Sequence, residues 1–140
     1  MISLLYVSRA ALSPREEEAQ LAQIVATARR RNLELGVTGA LTLLGDRFAQ
    51  WLEGAEAEVN QLMIAILRDS RHRDVRIIEI SPAAERRFPS WSMAFVPPSA
   101  ELRARLDRLA DPDGDPAGIG AADELVDQMV CGASSSVRLD

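Results

Sequence analysis

The sequence predicts an α+β sandwich: a mixed, mainly antiparallel sheet of five strands with two helices on one face, followed by a helical cap. Three observations carry this. Five short apolar stretches and two longer amphipathic ones follow in the order β-α-β-β-α-β-β. A Gly45-Asp46 turn joins the second and third strands as a hairpin. After Pro97-Pro98 the character changes to helix, Pro/Gly/Asp linker and helix.

Each element follows from its own residues. "ISLLYVSRA" (2–10), apolar and β-prone, reads as a largely buried first strand. "LSPREEEAQLAQIVATARRRN" (12–32) reads as a helix, with Ser13 as its cap, Pro14 in its first turn and Glu16–Glu18 at the positive end of its dipole. Leu21, Ile24, Val25 and Ala28 form its apolar face, Arg29–Arg31 suit its negative end, and Asn32 serves as its stop. "LGVTGALTLLGDRFAQWLEG" (35–54) is the hairpin, and "AEAEVNQLMIAILRDSR" (55–71) a second helix with Val59, Leu62, Met63 and Ile66 on one face. "RDVRIIEISPAAERRF" (73–88) holds a fourth strand centred on Val75–Ile80, and "SWSMAFV" (90–96) is a fifth. This βαββαββ order is ferredoxin-like.

Residues 1–97 are therefore expected to form the main domain, and 98–140 a C-terminal helical extension. In that extension, "SAELRARLDRLA" (99–110) places Leu102, Leu106 and Leu109 on one face, "DPDGDPAGIG" (111–120) is a linker, and "AADELVDQMV" (121–130) a last short helix before a frayed tail. The leucine stripe suits either a partner or the open face of the sheet.

Composition removes several function classes. A net charge of −5 argues against direct nucleic-acid binding. All sixteen basic residues are Arg, so there is no Schiff-base lysine and no phosphate-loop lysine. One His (His72) and one Cys (Cys131) build neither a usual zinc site nor an intrachain disulfide. No apolar run approaches the ~20 residues that span a bilayer, and no basic leader follows Met1, so a cytoplasmic chain with no membrane segment is expected.

Three polar residues stand where a plain core would be apolar. Alternation puts Gln50 on one face with Phe48 and Leu52, and burying an unpaired amide is costly. Tyr6 lies in the middle of the first strand and Asn32 at the end of the first helix. Each has an ordinary reading: a core-edge tyrosine, a helix cap, a structural hydrogen bond. Together they offer neutral donors and acceptors but no nucleophile and no strong base. Such a set suits a flat, polar-edged heterocycle better than hydrolysis.

"LLYVSRA", "RRRNLELGVTGAL", "RFAQWLEG", "DSRHRDV" and "ERRFPSWSMAF", in that order, closely resemble the BLUF domain, the blue-light sensor that uses FAD. The resemblance covers about residues 2–97 and departs only at Val37 and Ala49, neither of which removes a hydrogen-bonding group. It implies an isoalloxazine ring between the two helices, with Ile24 and Ile66 against its faces and Asn32 on its pyrimidine edge. Gln50 would bridge Tyr6 and the ring, while Arg31, Arg71 and His72 would supply polar contacts to the C2 carbonyl or ribityl side. Solvated surface charge is the alternative for both arginines. Trp91 and Met93 match the family's switching pair.

The chemistry implied is light-driven transfer of an electron and a proton from Tyr6, relayed by Gln50. The amide ends rearranged and the absorption shifts modestly to the red. A cysteinyl adduct is rejected because Cys131 lies in the tail. The chain is expected to be no enzyme itself. It would signal through the fifth strand and C-terminal helices to a partner protein (a cyclic-dinucleotide enzyme or a transcriptional regulator) or through self-association as a homo-oligomer. Two rival readings are a light-independent flavin or redox sensor and an acylphosphatase-like hydrolase. The second lacks the Gly-rich anion loop it would need.

Overall fold

The structure is a computed structural model that describes residues 1–110 and 121–135. The expected linker and the last five residues lie outside the described residues. The elements are β1 (Ile2–Ala10), α1 (Glu17–Leu35), β2 (Thr38–Leu44), β3 (Arg47–Gly54), α2 (Glu56–Arg68), β4 (His72–Pro82), β5 (Ala94–Val96), α3 (Ala100–Ala110) and α4 (Ala121–Ser135). The sheet order is β4-β1-β3-β2-β5, antiparallel except where β5 runs parallel to β2. This is the expected fold.

Both faces of the sheet are covered. On one, Leu4, Tyr6, Leu41, Phe48 and Leu52 pack with Ile24 and Val25 of α1 and Val59, Leu62 and Met63 of α2. On the other, Leu5, Val7, Leu44, Ala49 and Trp51 pack with Leu102, Leu106 and Leu109 of α3 and Leu125, Val126 and Met129 of α4. The α3 leucine stripe thus covers the open face of the sheet. Strand alternation sends Leu4 and Tyr6 one way and Leu5 and Val7 the other, so a single strand feeds both cores. No helix among the described residues is long and apolar enough to cross a membrane.

Several boundaries differ from expectation. α1 begins at Glu17, and Ser13 does not cap it through its side chain: the Ser13 backbone N–H donates to Gln20 Oε1 instead, and Pro14 sits in the turn ahead. Asn32 does not stop α1, which runs on to Leu35. Gly36, at φ 67°, ends it, with the Val37 N–H on the Asn32 carbonyl and the Gly36 N–H on that of Leu33. That is a Schellman closure, and it leaves the Asn32 side chain free of capping duty. The arginines of 29–31 lie a turn short of the helix end, where no basic residue stands. β5 is only three residues, so Trp91 and Met93 precede the strand and are not part of it. α4 is longer than expected, reaching Ser135.

Candidate functional site

Register brings the central pair together. In the β1·β3 ladder Tyr6 is the direct partner of Gln50, which places both side chains on the α1/α2 face. Tyr6 is fully buried and Gln50 almost so. The Tyr6 hydroxyl donates to Gln50 Oε1. On its other end, the Gln50 amide reaches Met93 Sδ at 3.7 Å.

Between α1 and α2 lies a narrow cleft, open to solvent at its mouth. Ile24, Thr27, Ala28, Arg31 and Asn32 line it from α1, and Leu62 and Ile66 from α2. Gln50 lies on its floor, while Asp69, Arg71 and His72 close one side. Every residue expected to touch the ring, other than Tyr6 behind Gln50, therefore meets in one place. Asn32 is held by its amide N–H, which donates to the Ser92 carbonyl at 2.6 Å. It is buried to 1% exposure, so the cap reading fails and a residue fixed beside the cleft replaces it.

The side of Asp69, Arg71 and His72 is built by one turn after α2. Asp69 accepts from the Arg71 backbone N–H at 3.0 Å and grips its guanidinium at 2.7 to 3.2 Å. An aspartate bonding the backbone two residues on is a local turn former, and here it aims Arg71 along the cleft. The bond from Arg71 holds the Asp69 carboxyl below the usual carboxylate range, and Arg71 is raised in return. Arg71 is thus a fixed, paired cation and not loose surface charge, whereas Arg31 is exposed at the cleft's mouth.

His72 packs its ring on Phe48 with centroids 4.7 Å apart and meets Tyr6 edge-on at 6.1 Å, with Nδ1 3.1 Å from Ser8 Oγ. Burial pushes its pKa down, Asp69 pulls it partly back up, and Arg71 pushes it down again. Burial, with a smaller contribution from Asp69, raises the Tyr6 pKa well above that of a free phenol. Tyr6 is a neutral hydrogen-bond donor throughout the physiological range.

Trp91 and Met93 part company. Met93 is fully buried beside Gln50. Trp91 is partly buried against the α3/α4 core and lines a separate groove outside α1, with Arg29, Arg30, Arg86 and Pro89. Sequence reasoning missed Asp69, Thr27 and Arg29. Arg29 donates through Nε to the Met93 carbonyl at 3.1 Å. The Asp-x-Arg spacing of 69–71 was a readable signal for the first; nothing in the sequence marks the others.

The cleft has the chemistry a flavin ring asks for. Its walls are aliphatic, its floor and edges carry amides, and its rim carries a fixed cation. One observation tests the fit directly. The Gln50 amide has two N–H bonds and makes a single long contact to a thioether, a weak acceptor. A buried amide with donor capacity left over, lining a cleft, fits a ring edge that accepts hydrogen bonds.

Comparison with known proteins agrees. Residues 1–94 match the family model described as BLUF, sensors of blue-light using FAD. The dark-state structure of BlrB, a BLUF protein, is 36% identical, with a TM-score of 0.77 over 93% of this chain and 95% of that one. The photoactivated adenylate cyclase subunit beta of Euglena longa is 34% identical over 112 residues, which are 79% of this chain and 13% of that protein. The blue light- and temperature-regulated antirepressor BluF of Escherichia coli (strain K12) is 36% identical over 78 residues, 56% of this chain and 19% of that protein. The chain spans less than a fifth of the length of either curated relative. With the match running through β1–β4 and both helices of the cleft, the chain belongs to the BLUF family, the sensors of blue light using FAD.

Proposed function

We propose that Tyr6 and Gln50 are the photoactive pair of this sensor, and that the ring of FAD binds in the cleft between α1 and α2. The bond from the Tyr6 hydroxyl to Gln50 Oε1, at the floor of that cleft, carries the reading. Ile24 and Ile66, which line the cleft, would hold the ring between them, Asn32 would hold its pyrimidine edge, and Arg31, Arg71 and His72 would supply polar contacts.

Bound flavin supplies the absorption of blue light and, when excited, an electron acceptor. The protein's part is the proton and its path. Tyr6 would be the electron donor to that acceptor, and the proton on its hydroxyl would go to Gln50 Oε1, the atom it already bonds. Gln50, protonated at Oε1, would release one proton from its amide nitrogen to the reduced ring and turn or tautomerise, so that the acceptor end and the donor end exchange places. Return of the electron and proton leaves Tyr6 a phenol again and Gln50 in a different hydrogen-bonded arrangement. Tyr6 itself has no exposed surface, so its hydroxyl proton has Gln50 as its partner and not bulk water.

A turned Gln50 no longer presents the same amide to Met93 Sδ, so the segment before β5 changes partners. The change continues to α3 and α4, which share a core with Trp91. The chain acts as a sensor and passes its signal to a separate effector. The cyclase and antirepressor relatives support effectors of nucleotide signalling or transcription, reached in the cytoplasm through a partner protein or a homo-oligomer.

Tyr6→Phe tests the pair. The variant should bind flavin and lose the normal light-induced red shift; a full shift would rule Tyr6 out. Wild-type protein that is yellow yet unchanged by blue light would favour light-independent flavin sensing.

A further inference from the structure

Glu53 is the penultimate residue of β3, three residues beyond Gln50, and faces the other side of the sheet. It has no exposed surface. A buried carboxylate is costly unless its lone pairs are filled, and here four donors fill them. Oε1 accepts from Thr38 Oγ1 at 3.0 Å and from the Phe88 backbone N–H at 2.7 Å. Oε2 accepts from Trp51 Nε1 at 3.1 Å and from the Arg87 backbone N–H at 2.8 Å. The two consecutive backbone donors belong to the loop that leads to Trp91 and Met93.

That loop is tied down twice more at the same point. The Arg86 guanidinium donates to Thr38 Oγ1, the Glu53 carbonyl and the Gly36 carbonyl at 2.9 to 3.1 Å. The Arg87 guanidinium pairs with Asp127 of α4. Beyond Phe88 the anchoring changes. The carbonyls of Trp91, Ser92 and Met93 accept from the Gly39 N–H, the Asn32 amide and Arg29 Nε, and the β2·β5 ladder resumes at Ala94. Residues 89–93 are therefore a short span between two fixed ends, and two cleft residues act on its far part, Asn32 at the Ser92 carbonyl and Gln50 at Met93 Sδ.

We propose that Glu53 is a positioning residue for light signalling: its carboxylate fixes the near end of the 89–93 span to the strand that carries Gln50. A rearrangement at Gln50 then displaces that span against a firm anchor and does not dissipate in a loose loop. This rests on the assignment of Gln50 and Met93 made above. Glu53 touches neither the cleft nor the ring, so its substitution separates the optical change from the structural one.

The test compares wild type and Glu53→Gln, each with FAD bound, by absorption and by amide hydrogen exchange in the dark and under blue light. Glutamine keeps the size but offers one acceptor oxygen in place of two, and turns an NH₂ toward two donors. Flavin binding and the red shift should survive, which also reports that the variant folds. In the dark, the Arg87 and Phe88 amides should exchange about tenfold faster, as expected on losing a charge-assisted bond. The light-minus-dark difference at the amides of 90–93 should fall at least severalfold. Thr38→Val, which removes one donor, should show the same effects more weakly, and Glu53→Asp should restore part of the difference.

A Glu53→Gln protein with the wild-type light-minus-dark difference at 90–93 would overturn the proposal, as would loss of the red shift in a variant that still holds flavin. Wild-type protein with no light-dependent exchange at 90–93 would instead show that the Gln50–Met93 assignment itself fails.

Discussion

A phenol with no exposed surface must find an acceptor, and the cross-strand register offers Tyr6 only Gln50. Alternation alone put Gln50 on the core face, so the central oddity was legible in "FAQWLEG". Register supplied the partner, and register is a long-range property that no local pattern states. Asn32 was legible as a polar residue in a special place but misread as a helix stop, because Gly36 four residues on does that work. Nothing in the sequence singled out Glu53: Trp51 is close by, but its other three donors come from β2 and from a loop more than thirty residues away.

His72 gives a residue-scale prediction with a definite sign. Its folded pKa lies below the unfolded value of about 6.5. Below that value the unfolded chain takes up a proton that the folded chain refuses, so stability falls as pH falls. Because His72 is the sole histidine and Asp69 titrates far lower, a decline between pH 7 and 5.5 belongs to it. Thermal melts should show the decline in wild type and a flatter profile in His72→Gln. Parallel profiles would assign it elsewhere.

At the scale of elements, the closures matter more than the interiors. Helix and strand interiors were readable from periodicity, whereas the ends were set by contacts outside the window. Ser13 and Pro14 carry start signals, yet Gln20 reaches back to the Ser13 N–H and α1 begins four residues later. β5 is short because only Ala94–Val96 find ladder partners on β2. Gly36 sits at φ 67°, so Gly36→Ala should cost about 1 kcal/mol in chemical denaturation. It should also weaken flavin retention, by shifting the end of the helix that carries Asn32. Gly39 is stricter, since a Cβ there would lie 1.9 Å from the Trp51 carbonyl oxygen. Gly39→Ala should break the β2·β3 hairpin and leave little folded protein, as circular dichroism would report.

For the whole molecule, the sheet is a partition between two cores with different duties. The α1/α2 side holds the cleft and the Tyr6–Gln50 pair, and the α3/α4 side holds the leucine stripe. Leu106 and Met129, from the extension expected after residue 97, share one apolar cluster with Leu5 and Trp51 of the sheet. Leu106→Ala should therefore cost about 2–5 kcal/mol of stability while leaving the red shift intact at temperatures where the protein stays folded. A cap variant that melts normally would mean that α3 packs weakly on the sheet.

Gln50 joins the two parts of the switch, as partner of Tyr6 on one side and of Met93 on the other. The light-minus-dark absorption spectrum of Gln50→Leu with FAD bound tests it most directly. Leucine fills the space but carries no donor and no acceptor. The variant should be yellow with bound flavin and show no red-shifted state under blue light; a full wild-type shift would mean that Gln50 is not the switch.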